Sequence, residues 1–345
     1  RSEQEMYQIT SGNLKRNYEP MSELIKDAIT NIENAKNKTG GVSGVPTGFL
    51  KLDKLTAGWQ RSDMIIVAAR PGMGKTAFVL SMARNIAVEQ RRAVAVFSLE
   101  MSSTQLVTRL IASESGISSE KLRKGELNDS EFGILHEHIS RLTDAPIFID
   151  DTPALNIFEL RAKCRRLKSQ HNVELIIIDY LQLMTAGGES KGGNREQEIS
   201  SISRSIKSIA KELDVPIIAL SQLSRAVETR GGDKRPQLSD LRESGAIEQD
   251  ADLVCFLYRP EYYKIYEDHY GSTLGIGEVI IAKHRNGALD TVNLRFIAEL
   301  AKFADLETTP SFQGVDGGMG SDGMRTITRP SRMNDDHDAD EPPPF

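Results

Sequence analysis

The sequence predicts an α/β fold, a mostly parallel central sheet flanked by helices with a β-rich C-terminal part, and three observations carry the prediction. The turn Ala69-Arg70-Pro71-Gly72-Met73-Gly74-Lys75-Thr76 follows the apolar run Met64-Ile65-Ile66-Val67-Ala68 and leads into Ala77, Leu80, Ala83 and Ala87 at helical spacing. That is the strand–turn–helix setting of a triphosphate-binding loop, or P-loop. The strands read as continuous apolar runs rather than alternating ones, as strands covered on both faces do. Helical patterns fall between the earlier strands, the order of a parallel sheet.

In chain order, residues 1–19 are polar and weakly patterned, a linker-like lead. Over 20–37, Leu24, Ile25, Ala28, Ile29 and Ile32 recur on one face of an amphipathic helix. The Lys, Asn and Gly residues of 36–45 separate it from the main domain, so it docks either on a neighbouring subunit or back on its own body. The main domain spans 38–306. Its predicted strands are 64–69, 93–99, 146–150, 174–179 and 216–220, then a β-rich end at 253–258, 278–282 and 292–297. Asn156 followed by Glu159 has the form of a capping box ahead of Leu160, Cys164 and Leu167. Ile199, Ile202, Ile206, Ile209 and Leu213 make one stripe over 195–213. Residues 307–345, rich in Gly, Ser, Asp and Pro, read as a disordered acidic tail.

The net charge is −6, which argues against a polyanionic partner until its distribution is read. Asp335, Asp336, Asp338, Asp340 and Glu341 against Arg332 put most of it in the tail, so the body is nearly neutral and local loops can be basic. Two cysteines in apolar or amphipathic runs, no signal peptide and no membrane-length apolar stretch point to a reducing cytoplasm. His136 and His138 are two apart on a helical pattern and face different sides, so no zinc site is expected. The chain begins with Arg rather than Met, as a fragment or processed chain does.

The chemistry follows from residue types at the strand ends. In the loop, residues Ala69, Arg70, Pro71, Gly72, Met73, Gly74, Lys75, Thr76 and Ala77 are the predicted ATP-binding set. Backbone N–H groups wrap the phosphates, Lys75 reaches their oxygens and the Thr76 hydroxyl holds Mg²⁺. Ala69 stands where the usual pattern has a first glycine. Asp179 ends the apolar strand Leu175–Ile178 at the edge where open α/β sheets bind ligands, and is the second predicted Mg²⁺ group. Hydrolysis needs a group that orients water, for which Glu100, ending the strand 94–99, is the candidate; it can equally lead the turn at Ser102-Ser103. Gln222 follows another strand and can sense the γ-phosphate. Lys283 and Arg285, at the turn Lys-His-Arg-Asn-Gly, are either transition-state cations, in their own subunit or across an interface, or a solvated hairpin tip. Two long polar loops, around Gly187-Gly188 with Gly192-Gly193 and from Arg225 to Arg242, offer cations and amides that can track the phosphates of a nucleic-acid strand.

Together these residues resemble the C-terminal motor domain of bacterial DnaB-type replicative DNA helicases, which are ring-forming RecA-like ATPases. The resemblance covers about residues 40–305. It rests on the P-loop, Ser-Leu-Glu-Met-Ser at 98–102, Ile-Ile-Asp-Tyr-Leu-Gln-Leu at 177–183, Leu-Ser-Gln-Leu-Ser at 220–224, Leu-Arg-Glu-Ser-Gly-Ala-Ile-Glu-Gln-Asp-Ala-Asp at 241–252 and Lys-His-Arg-Asn-Gly at 283–287. It implies a homohexamer with ATP between subunits, Glu100 as catalytic carboxylate, Asp179 on Mg²⁺ and Gln222 as phosphate sensor. It further implies Lys283 and Arg285 as fingers reaching the neighbour's ATP, and Arg242, Glu243 and Gly245 as contacts to the backbone of single-stranded DNA. Residues 20–37 match the family's linker helix, which packs on the adjacent motor domain. The N-terminal collar domain has no counterpart in the sequence, and primase and a helicase loader are the implied partners. The ending Asp-Ala-Asp-Glu-Pro-Pro-Pro-Phe is similar to the tip of bacterial single-strand-binding proteins. The rival readings are a RecA-like recombination or repair ATPase, which forms filaments, and a non-motor oligomeric switch in which ATP only stabilises a ring.

Overall fold

The computed structural model describes residues 20–37, 41–187, 195–232, 234–269 and 271–306. All of them belong to the first of the two units into which the chain divides, residues 1–308. The predicted tail, the lead over 1–19 and residues 188–194 of the first polar loop lie outside the described residues.

One nine-stranded sheet organises this unit. Its strands in chain order are β1 (Met64–Ala69), β2 (Val94–Ser98), β3 (Ile147–Asp150), β4 (Leu175–Asp179), β5 (Ile217–Gln222) and β6 (Leu253–Tyr258). A two-residue ladder, β7 (Glu267–Asp268) with β8 (Gly271–Ser272), stands apart from it. The sheet then resumes with β9 (Ile276–His284), β10 (Thr291–Ile297) and β11 (Lys302–Asp305). The spatial order is β11-β10-β9-β6-β1-β5-β4-β2-β3. The six strands from β6 to β3 are parallel, and β9, β10 and β11 extend the sheet antiparallel from β6. The predicted mostly parallel sheet with a β-rich end is the one observed. Strand β11 is additional to it, and β5 runs two residues further, to Gln222.

The continuous apolar strands have the expected cause. Along β1, Ile65, Val67 and Ala69 point into one core and Met64, Ile66 and Ala68 into a second on the opposite face, and all six are fully buried. Helix α1 (Met21–Asn37) precedes the sheet, and α2 (Leu50–Thr56) and α3 (Lys75–Arg84) follow in sequence. The first core holds Phe49, stacked on Phe78 of α3 at 5.5 Å, with Phe303 of β11 edge-on to Phe78 at 5.6 Å. Beyond β2 come α4 (Ser103–Ser115), α5 (Ser119–Lys124) and α6 (Asp129–Thr143), then α7 (Ile157–His171) and α8 (Arg195–Leu213). Two short helices, α9 (Ala226–Thr229) and α10 (Gly245–Asp250), flank a 3₁₀ segment, Leu238–Ser244.

The α8 stripe buries Ile199, Ile202, Ile206 and Ile209 completely in the second core; each contributes roughly 1.5–3 kcal/mol by leaving water. Helix α7 starts where Asn156 was expected to cap it, its side chain accepting from the N–H groups of Phe158 and Glu159. Helix α1 behaves differently: Leu24, Ile25, Ile29 and Ile32 are 44–68% exposed. Nothing in its own chain covers that face among the described residues. No described helix is long and apolar enough to cross a membrane.

Candidate nucleotide site

Parallel pairing brings the C-terminal ends of β1, β2, β4 and β5 to one edge. Ser98 lies opposite Asp179, and Ala69 opposite Gln222. Segments distant in sequence therefore meet around a cavity of about 440 Å³, lined by Pro71, Gly72, Gly74, Lys75, Thr76 and Ala77 of the loop and by Glu100 and Gln222. Ala69 and Met73, both in the predicted set, are buried beneath the loop and do not line it.

The loop's glycines are required by its path. Gly72 has φ +81° and Gly74 φ +93°, values that suit a residue without a Cβ. A Cβ at Gly72 would come 3.0 Å from the Tyr262 ring, and one at Gly74 would come 3.1 Å from the Phe303 ring. Lys75 Nζ donates to the Ala69 carbonyl at 3.0 Å. Burial lowers its pKa, opposed by the carboxylates of Asp179 and Glu100.

Thr76 Oγ1 donates to Asp179 Oδ2 at 2.8 Å, while Asp179 Oδ1 is buried with no partner. Burial raises the Asp179 pKa; the Thr76 hydrogen bond and Lys75 work against it, and Glu100 works with it. An orphaned carboxylate oxygen beside a hydroxyl, both hard donors at the phosphate loop, fits Mg²⁺, which binds through one or two protein oxygens with phosphates and water completing its shell. Among the described residues no group of three or more His, Cys, Asp or Glu is placed to hold a metal ion by itself. Glu100 is exposed at the cavity wall. Ser102, with Gln105 answering it, makes the capping box of α4, so the turn's caps do not involve Glu100.

Gln222 is held from behind, its N–H donating to Gln182 Oε1 at 3.3 Å while Gln182 Nε2 donates to Ser221 Oγ at 2.9 Å. Lys283 and Arg285 do not line the cavity. They bind the C-terminal end of α10 instead. Lys283 Nζ donates to the Glu248 carbonyl at 2.5 Å, and Arg285 donates through Nη2 to the Gln249 carbonyl at 2.8 Å and through Nη1 to Asp252 Oδ1 at 3.1 Å. Burial, and then the neighbouring Arg285, lower the Lys283 pKa. Arg242 and Glu243 lie in the 3₁₀ segment and Gly245 opens α10, on the stretch between β5 and β6; their side chains are outside the described set.

Arg70 of the loop also lines the cavity, while its guanidinium is buried and bonded behind the loop. It donates to the Leu223 carbonyl at 2.7 Å and to Glu228 Oε1 at 2.9 Å. The stretch 225–242 is not an open cationic loop. Helix α9 and the 3₁₀ segment occupy much of it, and Arg230 pairs with Asp240 and Arg235 with Glu278. Arg230 and Arg235 are therefore engaged within the chain.

The remaining wall comes from Met101, Arg109, Ser119, Tyr180, Phe296, Ala298 and Ala301, none of which the sequence reading singled out. Met101 and Tyr180 stand inside two of the quoted motifs, next to Glu100 and Asp179, without a role assigned to them there. Arg109 lies on α4, and Phe296, Ala298 and Ala301 arrive from the antiparallel end, a non-local pairing without a local signal.

Fold and site together define a P-loop nucleotide-binding domain of the RecA-like kind: a parallel sheet, a glycine-cradled Lys-Thr at the end of one strand, an Asp at the end of another. The chain belongs to the family of DnaB-like helicase C-terminal domains, whose model matches residues 44–305. It is 50% identical over 301 residues to the replicative DNA helicase DnaC of Bacillus subtilis (strain 168), an alignment covering 87% of this chain and 65% of that protein. It is 51% identical over 290 residues to the replicative DNA helicase DnaB of Geobacillus stearothermophilus, covering 84% and 63%. The chain thus spans just under two thirds of the length of these curated relatives. Among solved structures, the ATPase domain of G40P matches with a TM-score of 0.77 and 40% identity, over 84% of this chain and all of that one. A DnaB-like replicative helicase described with its interactions with primase matches with a TM-score of 0.74 and 39% identity, over 88% of this chain and 71% of that one.

Proposed function

We propose that this chain is the motor of a replicative DNA helicase, a homohexameric, ATP-driven translocase on single-stranded DNA that unwinds duplex DNA at the replication fork. The observation that carries this reading is a division of labour. Lys75, Thr76, Glu100 and Gln222 line one cavity, with Asp179 bonded to Thr76, while Lys283 and Arg285 stand outside it at the end of β9. A site with its own phosphate, metal and water-orienting groups, but with Lys283 and Arg285 bonded to the end of α10 instead, suits completion by a neighbouring subunit.

In this reading the loop amides and Lys75 hold the β- and γ-phosphates of ATP, and Glu100 orients the attacking water. Gln222 registers loss of the γ-phosphate, and Lys283 and Arg285 of one subunit neutralise charge on the neighbour's ATP. Thr76 and Asp179 hold Mg²⁺, which supplies neutralisation of the phosphate oxygens. Phe296, Ala298 and Ala301 give the cavity an apolar end that suits a nucleobase. Arg242, Glu243 and Gly245 contact the DNA backbone, and hydrolysis around the ring moves them along the strand. The exposed apolar face of α1 supports its docking on the adjacent motor domain. Primase and a helicase loader are the expected partners, and the bacterial cytoplasm the setting.

The test is the ATPase rate of the purified chain with and without single-stranded DNA, followed by strand displacement on a forked duplex. Strong stimulation with displacement supports the motor. A rate indifferent to DNA favours the oligomeric switch, and DNA-stimulated hydrolysis with strand pairing but no displacement favours the recombinase.

A further inference from the structure

Arg70 has the wrong orientation for a phosphate ligand and the right one for a strut. It sits in the P-loop, yet its guanidinium, 8% exposed, reaches across the end of β5 to the Leu223 carbonyl and to Glu228 on α9. Leu223 N–H in turn donates to the Ala69 carbonyl at 3.2 Å, so the root of the loop and the chain leaving β5 are fastened to each other from both sides. The attachment continues beyond α9. Arg230, the residue after that helix, pairs with Asp240 of the 3₁₀ segment. Ser224 N–H donates to the Asp240 carbonyl at 3.1 Å, and Gln237 N–H to Asp240 Oδ2 at 2.7 Å. Asp240 is almost wholly buried and lies two residues before Arg242.

We infer that Arg70 and Glu228 form a positioning pair that couples the P-loop to the segment 238–245 through Arg230 and Asp240. The inference rests on the motor reading above, which places the DNA contacts on that segment. The physical case is the continuity of the contacts and their chemistry. Charge-assisted hydrogen bonds from a buried guanidinium are directional and cost more to stretch than apolar packing. A shift of the loop as phosphates enter or leave is therefore passed on to α9 rather than absorbed. The 3₁₀ segment moves with α9 because Arg230 and the backbone of Ser224 tie both ends of the intervening stretch to one residue, Asp240. Two sites joined in this way share a coupling free energy that is reciprocal: what nucleotide does to DNA affinity, DNA does to nucleotide affinity.

The test uses Glu228→Ala, whose side chain is not in the nucleotide cavity, and Arg230→Ala, which breaks the same path at its far end. Affinity for a labelled oligothymidylate is measured with a non-hydrolysable ATP analogue and with ADP, and basal ATPase without DNA is measured alongside. Coupling between sites is typically about 5- to 150-fold, and the wild type is expected to show a ratio of affinities in that range. In both variants the ratio falls to within about twofold of one, while basal kcat and KM for ATP stay within about twofold of wild type. Glu228→Gln, which keeps an acceptor for Arg70, recovers part of the ratio. A structural role alone would change stability without moving the ratio. A wild-type ratio retained in Glu228→Ala overturns the coupling and leaves the motor intact; a wild-type ratio of one overturns both.

Discussion

Thr76 Oγ1 and Asp179 Oδ2 are 2.8 Å apart and hydrogen-bonded, joining the end of the P-loop to the end of β4. The hydroxyl uses one carboxylate oxygen and leaves Oδ1 buried without a partner, a costly arrangement unless something else claims that oxygen. Asp179→Asn should therefore lower ATP hydrolysis by about 100-fold, equivalent to about 3 kcal/mol of lost transition-state stabilisation. It should also flatten the dependence of nucleotide affinity on Mg²⁺ concentration. An unchanged Mg²⁺ titration would remove Asp179 from the metal site. Because burial raises the Asp179 pKa, protons compete with the cation sooner than at an ordinary aspartate. Mg²⁺-dependent affinity should weaken as pH falls toward the carboxylate range, and that loss should be absent in the Asn variant.

Glu100 is exposed on the wall of the cavity that the P-loop also lines. Glu100→Gln keeps the shape of the side chain and removes its basicity. It should bind a fluorescent ATP analogue as wild type does while hydrolysis falls by roughly 10²–10⁴-fold, the usual contribution of a positioned base. A Gln variant that hydrolyses normally would assign the role to another group.

Arg285 is anchored to Asp252 and to the Gln249 carbonyl, away from its own chain's cavity. If it acts on a neighbour's ATP, Arg285→Ala should lose about 1,000-fold or more in hydrolysis with nucleotide affinity little changed. Mixing it with Lys75→Ala should restore activity, because some interfaces then pair an intact loop with an intact finger. Two variants that stay inactive when mixed would place the finger's action within one chain.

The fold was largely legible because its parallel strands are buried on both faces, so β1 and β4 appear as short, nearly continuous apolar runs rich in Ile. The α8 stripe was legible for the converse reason, a single buried face at helical spacing. The region from Ser103 to Thr143 was harder to resolve into elements, since α5 and α6 bury no residue fully and impose little apolar period. Strand β11 escaped notice because only Phe303 among its four residues is buried. Of the site, the groups at strand ends could be read from position in sequence. Arg109, Phe296 and the outward turn of Arg70 could not, because each depends on which distant segment lies alongside. The same holds for the stretch 225–242, where the pairing of Arg230 with Asp240 and Arg235 with Glu278 decides whether its cations are available.

Asp63, just ahead of β1, gives a prediction about stability. Burial pushes its carboxyl up to about 6, the nearby Asp252 adds to the shift, and Lys207 and Arg285 offset part of it. The unfolded chain ionises this residue near 3.8, so between pH 4 and 6 the folded state keeps a proton that the unfolded state has lost. Stability contributed by Asp63 is therefore present below that window, falls as pH rises through it and stays lost above about 6. The group is only half-buried, and solvent screening reduces the penalty at neutral pH to about 1 kcal/mol. Asp63→Asn removes the charge and retains the shape. At pH 7.5 it should raise Tm by about 2–4 °C, and at pH 4 it should match wild type. The measurement is the difference between the two Tm-against-pH curves, which cancels every other titrating group common to both. A difference that is flat from pH 4 to 7.5 would mean that burial does not hold the Asp63 carboxyl above its ordinary range. A difference that opens across pH 4 to 6 would show that it does.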